Sequence, residues 1–369
     1  MKKKILISYT TYSNSSKSVA DIISESFDTR FYDVKLLDIT NYSKKITKLA
    51  NSLFKGSSLD FLNGLLFGLI NNKYASLGNE KYAIKGFDTE SLRNIFKSFN
   101  PDVVLCTHFY SSYIASYYNK INITSSKVVT VITDFTNHSF WLANYKEVDT
   151  YVVHNDIIKN ELVRKGVKAS NIYALGIPVN YEKVTSKETV LKNYSLSGKK
   201  PIYLFLAGDN NYEHFKHLAR KKYNIDIIMV CGKNSKLKDE SEEFVYRNNI
   251  KNVLVLGYAK DLYSLIGISD IVITKPGSTI INECISMGKA CILLSPQNSL
   301  EKFNRRYMTK NHIALKASTS GSLSRKVKLS LSYGFIVKAI RNRLNKFYNN
   351  DSATKICSLV KDMLKSSRD

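Results

Sequence analysis

The run from Asp270 to Pro296, DIVITKPGSTIINECISMGKACILLSP, constrains the fold more than any other stretch of the chain. DIVIT is a short apolar strand, Pro276 and Gly277 stop it, a helix opens at Ser278 and Thr279, and CILLSP is a second strand. Two strands joined through a helix are parallel neighbours in one sheet. The backbone N–H groups that open the helix have no intrahelical acceptor and point outward with the positive end of the helix dipole, so the turn can hold a phosphate. Glu283 lies one turn further in. A carboxylate there can accept hydrogen bonds from a ribose diol while the helix start holds the adjoining diphosphate. Together these parts describe a nucleotide-sugar site. The competing reading is an ordinary βαβ unit in which Gly277 only makes the turn and Glu283 is solvated.

The same alternation of apolar runs and helical stretches organises the rest of the chain. ILIS (Ile5 to Ser8), VVLC (Val103 to Cys106), VVTVIT (Val128 to Thr133) and YVVH (Tyr151 to His154) predict a doubly wound parallel sheet in the first half. The pattern restarts with YLFLAG (Tyr203 to Gly208), DIIMVCG (Asp226 to Gly232), VLVLGY (Val253 to Tyr258), DIVIT and CILLSP, so a second open sheet follows. With 369 residues the chain is too long for one core. The expected division is an N-terminal Rossmann-like domain over 1–180, a linker over 181–198 within and after GIPVNYEKVTSKET, a second Rossmann-like domain over 199–348, and a terminal helix over 349–369. Two such α/β domains facing each other leave a central cleft at the carboxyl ends of their strands, the usual ligand position.

The formal net charge of +24 is unevenly spread, because Lys302 to Asn350 holds twelve Lys or Arg and no Asp or Glu. Nucleic acid, an anionic bilayer surface and a solvated basic face all fit such a stretch. No zinc spacing, helix-turn-helix pattern or RNA-binding aromatic signature accompanies it, so no nucleic-acid partner is expected. Thr40 to Gly78 is basic and then apolar, with Lys44, Lys45, Lys48 and Lys55 ahead of Phe61, Leu62, Leu65, Leu66, Phe67 and Ile70. It reads either as a segment lying in the bilayer interface or as a buried helical hairpin. The ten residues FLNGLLFGLI fall short of the roughly twenty a spanning helix needs. Five cysteines without a C-x-x-C pair suggest reduced thiols, and nothing behind Lys2 to Lys4 reads as a signal peptide. The expected location is cytoplasmic, peripheral on the inner face of the cell membrane.

Several blocks recur in a known order: VCGKN (Val230 to Asn234), NVLVLGYAKDLYSLIGISD (Asn252 to Asp270), TKPGSTIINE (Thr274 to Glu283), and Glu301 with Asn304. In the first half stand VITDFTNHSFW (Val131 to Trp141) and LGIPV (Leu175 to Val179). In these blocks, from about Ile5 to Met308, the chain resembles the GT-B glycosyltransferases. The particular likeness is to the family of monogalactosyldiacylglycerol synthases and processive diacylglycerol beta-glucosyltransferases, of glycosyltransferase family 28 type. VITDFTNHSFW is similar to that family's T-D-x-x-x-H-x-x-W stretch and LGIPV to its domain-closing motif. The resemblance implies that Gly257 and Tyr258 flank a uracil, that Glu283 holds the ribose, and that Gly277, Ser278 and Thr279, with Lys275 in the same turn, meet the diphosphate. It also implies that Glu301 and Asn304 face the donor sugar and that the acceptor is a lipid. From their places at strand ends, Gly208 can let backbone approach the donor, and Gly232, Lys233 and Asn234 can supply polar contacts.

Sugar transfer needs a base for the acceptor hydroxyl and a positive environment for the leaving diphosphate. Asp134, after a strand end, is the candidate base, with helix capping as its other reading. His138 can orient Asp134, contact the acceptor or act as base itself, and His108 ranks third. Phe140 and Trp141 form either an apolar lip for a lipid or core packing. The histidines are dispersed and no D-x-D motif is present, so no metal is expected, and no cofactor, the UDP-sugar being a substrate. Three departures from the family pattern stand out: Ser16 occupies the place of a histidine in the first loop, Ser278 that of a glycine, and Leu300 that of a glutamine. Alone, ISYTTYSNSSKSVADII (Ile7 to Ile23) resembles a flavodoxin-like phosphate loop, but the ordered second-half blocks outweigh it. The leading expectation is an inverting, metal-independent transferase that moves a hexose from a UDP-sugar to diacylglycerol or its glycosylated form at a membrane surface. Two others stand beside it: N-acetylglucosamine transfer to a polyprenyl-linked precursor, and a UDP-sugar-binding protein that has lost turnover.

Overall fold

Each half of the chain builds its own six-stranded, all-parallel sheet. The computed structural model describes residues 2–11, 13–43, 87–135, 139–179, 185–347 and 351–365. Most of the basic, apolar segment Thr40 to Gly78 lies outside the described residues, and so does His138.

In the first unit, β1 (Lys3–Tyr9), α1 (Asn14–Glu25), β2 (Tyr32–Asp38), α2 (Thr89–Phe99), β3 (Val103–Cys106) and α3 (Phe109–Lys120) come first. They are followed by β4 (Lys127–Val131), β5 (Thr150–Val153), α4 (Asp156–Arg164) and β6 (Ile172–Ala174). The sheet order is β2-β1-β3-β4-β5-β6, with Ile5 level with both Val34 and Val103. The central strands are apolar on both faces because helices cover both, which is why VVLC and TYVV are buried at every position. Helix starts follow local side-chain chemistry: the Asp88 carboxylate accepts the Ser91 N–H at 3.2 Å ahead of α2, and Asn155 caps α4.

The second unit contains α5 (Lys187–Asn193), β7 (Ile202–Leu206), α6 (Tyr212–Ala219), β8 (Asp226–Val230), α7 (Ser235–Arg247), β9 (Val253–Leu256) and α8 (Leu262–Ile268). After these come β10 (Ile271–Thr274), α9 (Ser278–Ser286), β11 (Ala290–Leu293), α10 (Ser299–Lys310), β12 (Ala314–Lys316), α11 (Ser320–Ser332) and α12 (Gly334–Leu344). The order is β12-β11-β10-β7-β8-β9, and the core gathers Phe205, Phe215, Met229, Ile273 and Ile292.

The division of the chain is less linear than its sequence suggests. One compact unit comprises Met1–Val179, Gln297–Ser299 and Asn349–Asp369, the other Asn180–Pro296 and Leu300–Tyr348. The last helix, α13 (Ser352–Lys365), places Ile356, Cys357, Val360 and Leu364 in the first unit's core beside Val19, Ala20 and Ile23 of α1. Within the stretch read as a linker, α5 belongs to the second unit: the Thr185 N–H donates to Ser264 Oγ at 2.8 Å, and the Tyr194 hydroxyl to Asp261 at 2.7 Å. Among the described residues no helix is long and apolar enough to cross a membrane.

Candidate active site

In the second sheet the strand order turns back on itself between β10 and β7, since the chain runs outward through β8 and β9 and returns on the other side. Carboxyl ends beside such a reversal form a crevice. Every second-half residue singled out from the sequence lies on that edge. Gly208 follows β7; Gly232, Lys233 and Asn234 follow β8; Gly257 and Tyr258 follow β9. Lys275 and Gly277 follow β10, Ser278, Thr279 and Glu283 lie on α9, and Glu301 and Asn304 lie on α10 after β11.

Gly277 is the residue that starts α9, in extended backbone (φ −73°, ψ 137°) and without a side chain capping the helix. Neither strain nor packing demands a glycine here: a Cβ at Gly277 meets nothing within 4 Å, and the same holds at Gly208. Gly232 differs, because its φ of +61° lies in the left-handed region that favours glycine. Asn304 is wholly buried and braces the turn from α10, its amide donating to the Pro276 carbonyl and to Ser278 Oγ, each at 3.0 Å. The Lys275 ammonium lies 3.3 Å from the buried Glu301 carboxylate, which holds the cation beside the same turn. Asn234 has a local duty too, its Oδ1 accepting the Leu237 N–H at 3.0 Å to cap α7. Lys233 Nζ stands 5.8 Å from the centre of the Tyr258 ring, which is 64% exposed, and the Lys238 side chain packs at Gly257.

Glu283 is the most unusual group of this edge. It is 4% exposed, and burial pushes its carboxyl up to about 7, with a hydrogen bond from Tyr263 pulling in the opposite direction. One of its oxygens, Oε2, is buried without a partner. Buried acceptors are nearly always satisfied, so an unmatched carboxylate oxygen suits an O–H donor brought by a ligand.

The first unit gathers its polar residues at the ends of β1, β3, β4 and β5. Ser16, expected from the resemblance to stand in the place of a histidine, is wholly buried: its Oγ accepts the Thr10 N–H at 3.2 Å and lies 3.0 Å from Thr107 Oγ1. Thr107 in turn donates to the Ser16 carbonyl at 2.9 Å. Ser16 therefore pins β1 to β3 and offers no surface to a ligand. Asp134 is buried, and the Trp141 indole N–H donates to its Oδ2 at 3.3 Å. Trp141 is fully buried, so it is core and not lip, while Phe140 stacks on Phe109 at 5.3 Å. His108 starts α3, its Nδ1 accepting the Tyr110 N–H at 3.2 Å, which leaves the proton on Nε2.

Sequence reasoning missed His154. It follows β5, stacks on Phe135 with ring centres 4.0 Å apart, and bonds to the Thr133 backbone next to Asp134. Burial lowers its pKa to about 4, against the opposing effects of the Thr133 bond and the Asp134 charge, and Nε2 is buried without a partner. The signal was present in YVVH, a polar residue closing an apolar strand. Among the described residues no three His, Cys, Asp or Glu side chains group as metal ligands.

Two family models cover most of the chain: monogalactosyldiacylglycerol synthase over residues 16–179 and the glycosyltransferase family 28 C-terminal domain over residues 209–327. A processive diacylglycerol beta-glucosyltransferase of Bacillus pumilus is 28% identical over 83% of this chain and 80% of its own length. Another of that name from Bacillus cytotoxicus is 26% identical over 97% of this chain and 93% of its own length. Among solved structures, a glycosyltransferase from Rickettsia africae shares the fold with a TM-score of 0.57 and 17% identity, each chain covered to 99%. The architecture is thus the GT-B one, α/β with two Rossmann-like domains. With the one domain model on the first half and the other on the second, the chain belongs to the glycosyltransferase family 28 type that includes monogalactosyldiacylglycerol synthases and processive diacylglycerol beta-glucosyltransferases.

Proposed function

We propose that this protein transfers a hexose from a UDP-sugar to the hydroxyl of diacylglycerol or of a glycosylated diacylglycerol, with inversion at the anomeric carbon, at an anionic membrane surface. The observation that carries the reading is Glu283, a buried carboxylate with an unmatched oxygen one turn inside the helix whose open N-terminus follows Gly277. Its carboxylate takes the ribose hydroxyls, Gly257 and Tyr258 flank the uracil, and Gly208 and Gly232 leave room for the donor. The first N–H groups of α9, with Lys275 and Lys233, meet the diphosphate. Asp134, oriented by Trp141, removes the proton from the acceptor hydroxyl, with His138 beside it in the chain as orienting group or second base. The freed oxygen forms a bond to the anomeric carbon as the bond from that carbon to the UDP oxygen breaks, and UDP carries the electron pair away. One displacement inverts the centre. The chain works without a cofactor in this reading, as a peripheral protein on the cytoplasmic face.

The test incubates purified protein with phosphatidylglycerol vesicles containing diacylglycerol and a panel of UDP-sugars, and identifies glycolipid by mass and its anomeric configuration by NMR. Asp134→Asn is expected to abolish transfer while UDP still binds; Glu283→Ala is expected to abolish UDP binding. Full turnover by Asp134→Asn removes the base from the reading. A second reading, UDP-sugar binding without turnover, draws on one observation: Ser16, in the place of a family histidine, is locked inside a hydroxyl network. UDP binding with no donor consumed under any acceptor condition favours it.

A further inference from the structure

The helices α11 and α12 meet at Tyr333, which ends one and precedes the other. At this corner Tyr333 is 51% and Phe335 68% exposed, and their rings stand edge-on with centres 5.8 Å apart. The helices already have their core side chains elsewhere: Leu323 and Val327 on α11, Ile340 and Leu344 on α12. Along α11 the exposed positions Arg325, Lys328 and Ser332 are three and four residues apart and therefore on one stripe; along α12 Phe335, Lys338 and Asn342 are exposed at the same spacing, with Arg343 exposed beside them. The aromatic pair thus sits between Lys328 and Lys338. From Lys302 to Asn350 there is no acidic residue, and among the described residues the ion pair formed by α12 is that of Arg341 with Asp270, at 3.5 Å.

We propose that this corner is where the second unit enters an anionic lipid bilayer, a proposal that rests on the membrane-surface reading above. Tyr333 and Phe335 reach the boundary between headgroups and acyl chains, and Arg325, Lys328 and Lys338 bind lipid phosphates. An interface favours both the amphipathic ring of Tyr and long cationic side chains, the ring for an apolar body with a polar tip and the cation for a stem that lies along apolar surface while its head stays among phosphates, and it takes the apolar ring of Phe among the acyl chains. A protein partner is the weaker fit, since the centres of protein interfaces are depleted in lysine.

The experiment uses the full chain and mixed phosphatidylglycerol and phosphatidylcholine vesicles. Replacing Tyr333 and Phe335 together by Ser is expected to weaken vesicle partitioning about tenfold or more. Lys328→Ser and Lys338→Ser are expected to weaken it about fivefold each, at low salt only. Because the chain has one tryptophan and Trp141 is wholly buried, a Phe335→Trp variant carries its own reporter, and lipids brominated on their acyl chains are expected to quench it well beyond the wild-type signal. If wild type binds the vesicles while the serine variants bind equally and the new tryptophan is not quenched, the corner is not the contact and the membrane reading stands without it. Wild type that ignores every vesicle composition overturns the membrane reading, and this proposal with it. A serine variant that keeps vesicle binding but changes its sedimentation coefficient assigns the corner to contact between copies, and likewise overturns it. The replaced side chains are exposed, so unchanged thermal melting is expected throughout.

Discussion

Replacing Glu283 by Gln separates what the carboxylate does for folding from what it does for a ligand. In the folded chain burial raises the carboxyl to about 7, whereas its ordinary value is 4.5. A raised acid binds its proton more tightly when folded. Below pH 4.5 both states hold the proton and no penalty arises; between 4.5 and 7 the unfolded chain releases it and the folded chain does not, so stability falls as pH rises; above 7 the penalty is constant. The shift amounts to about 3 kcal/mol between pH 4.5 and pH 8, at 1.36 kcal/mol per pKa unit. Glutamine keeps the acceptor for Tyr263 and places an amide where Oε2 lacks a partner, a fixed penalty of about 1–2 kcal/mol that does not depend on pH. The stability difference between Glu283→Gln and wild type, from urea unfolding monitored in the second unit, is therefore expected to move in favour of the variant by about 3 kcal/mol from pH 4.5 to pH 8. UDP binding is expected to change in the opposite sense. Ribose hydroxyls donate to the ionised form, so wild-type affinity rises up to about tenfold from pH 6 to pH 8 beyond any rise seen in the variant. A pH-dependent difference under about 1 kcal/mol refutes the burial argument. Equal UDP affinity in both proteins at pH 8 refutes the ribose assignment.

Gly277→Ala introduces a Cβ into open space on extended backbone, so stability is expected to change by less than about 1 kcal/mol while UDP affinity, read by calorimetry, drops tenfold or more. Unchanged affinity means that no phosphate approaches that turn. Asn304→Ala removes two buried hydrogen bonds to the turn and is expected to lower the unfolding free energy by about 2 kcal/mol, with weaker UDP binding as the turn loosens; chemical denaturation and calorimetry report the two effects. His154, held at about 4 by burial instead of its ordinary 6.5, binds its proton more tightly when unfolded. Its stabilising effect is complete above pH 6.5 and is lost as pH falls toward 4, about 2 kcal/mol of it between pH 7 and pH 5. Denaturation of His154→Gln at the two pH values is expected to lack that share of the acid loss, and an identical loss in both proteins contradicts the buried imidazole.

The legible part of this protein was its periodicity and its punctuation. Apolar runs of four to seven residues broken by Gly, Pro and polar turns are a local property, so VVLC, YLFLAG and DIVIT could be read as buried parallel strands before any fold was known. The turn after Thr274 was legible for the same reason, because a helix opening behind Pro276 and Gly277 creates unpaired N–H groups wherever it occurs. What each polar residue does with its side chain was not legible. Asn234 caps a helix, Asn304 braces the turn at Pro276 and Ser278, Ser16 ties two strands, and Trp141 is core with its indole on Asp134. Two of these duties depend on distant partners, 28 residues away for Asn304 with Pro276 and 91 for Ser16 with Thr107. Sequence by itself determined two parallel sheets and the strand ends that carry polar residues, since both follow from hydrophobic period and turn chemistry. Tertiary structure alone decided that five of those ends lie side by side, that α13 completes the first unit's core, and that Glu283 and His154 are desolvated. Strand order and burial are sums over residues distant in the chain, and no local window contains them.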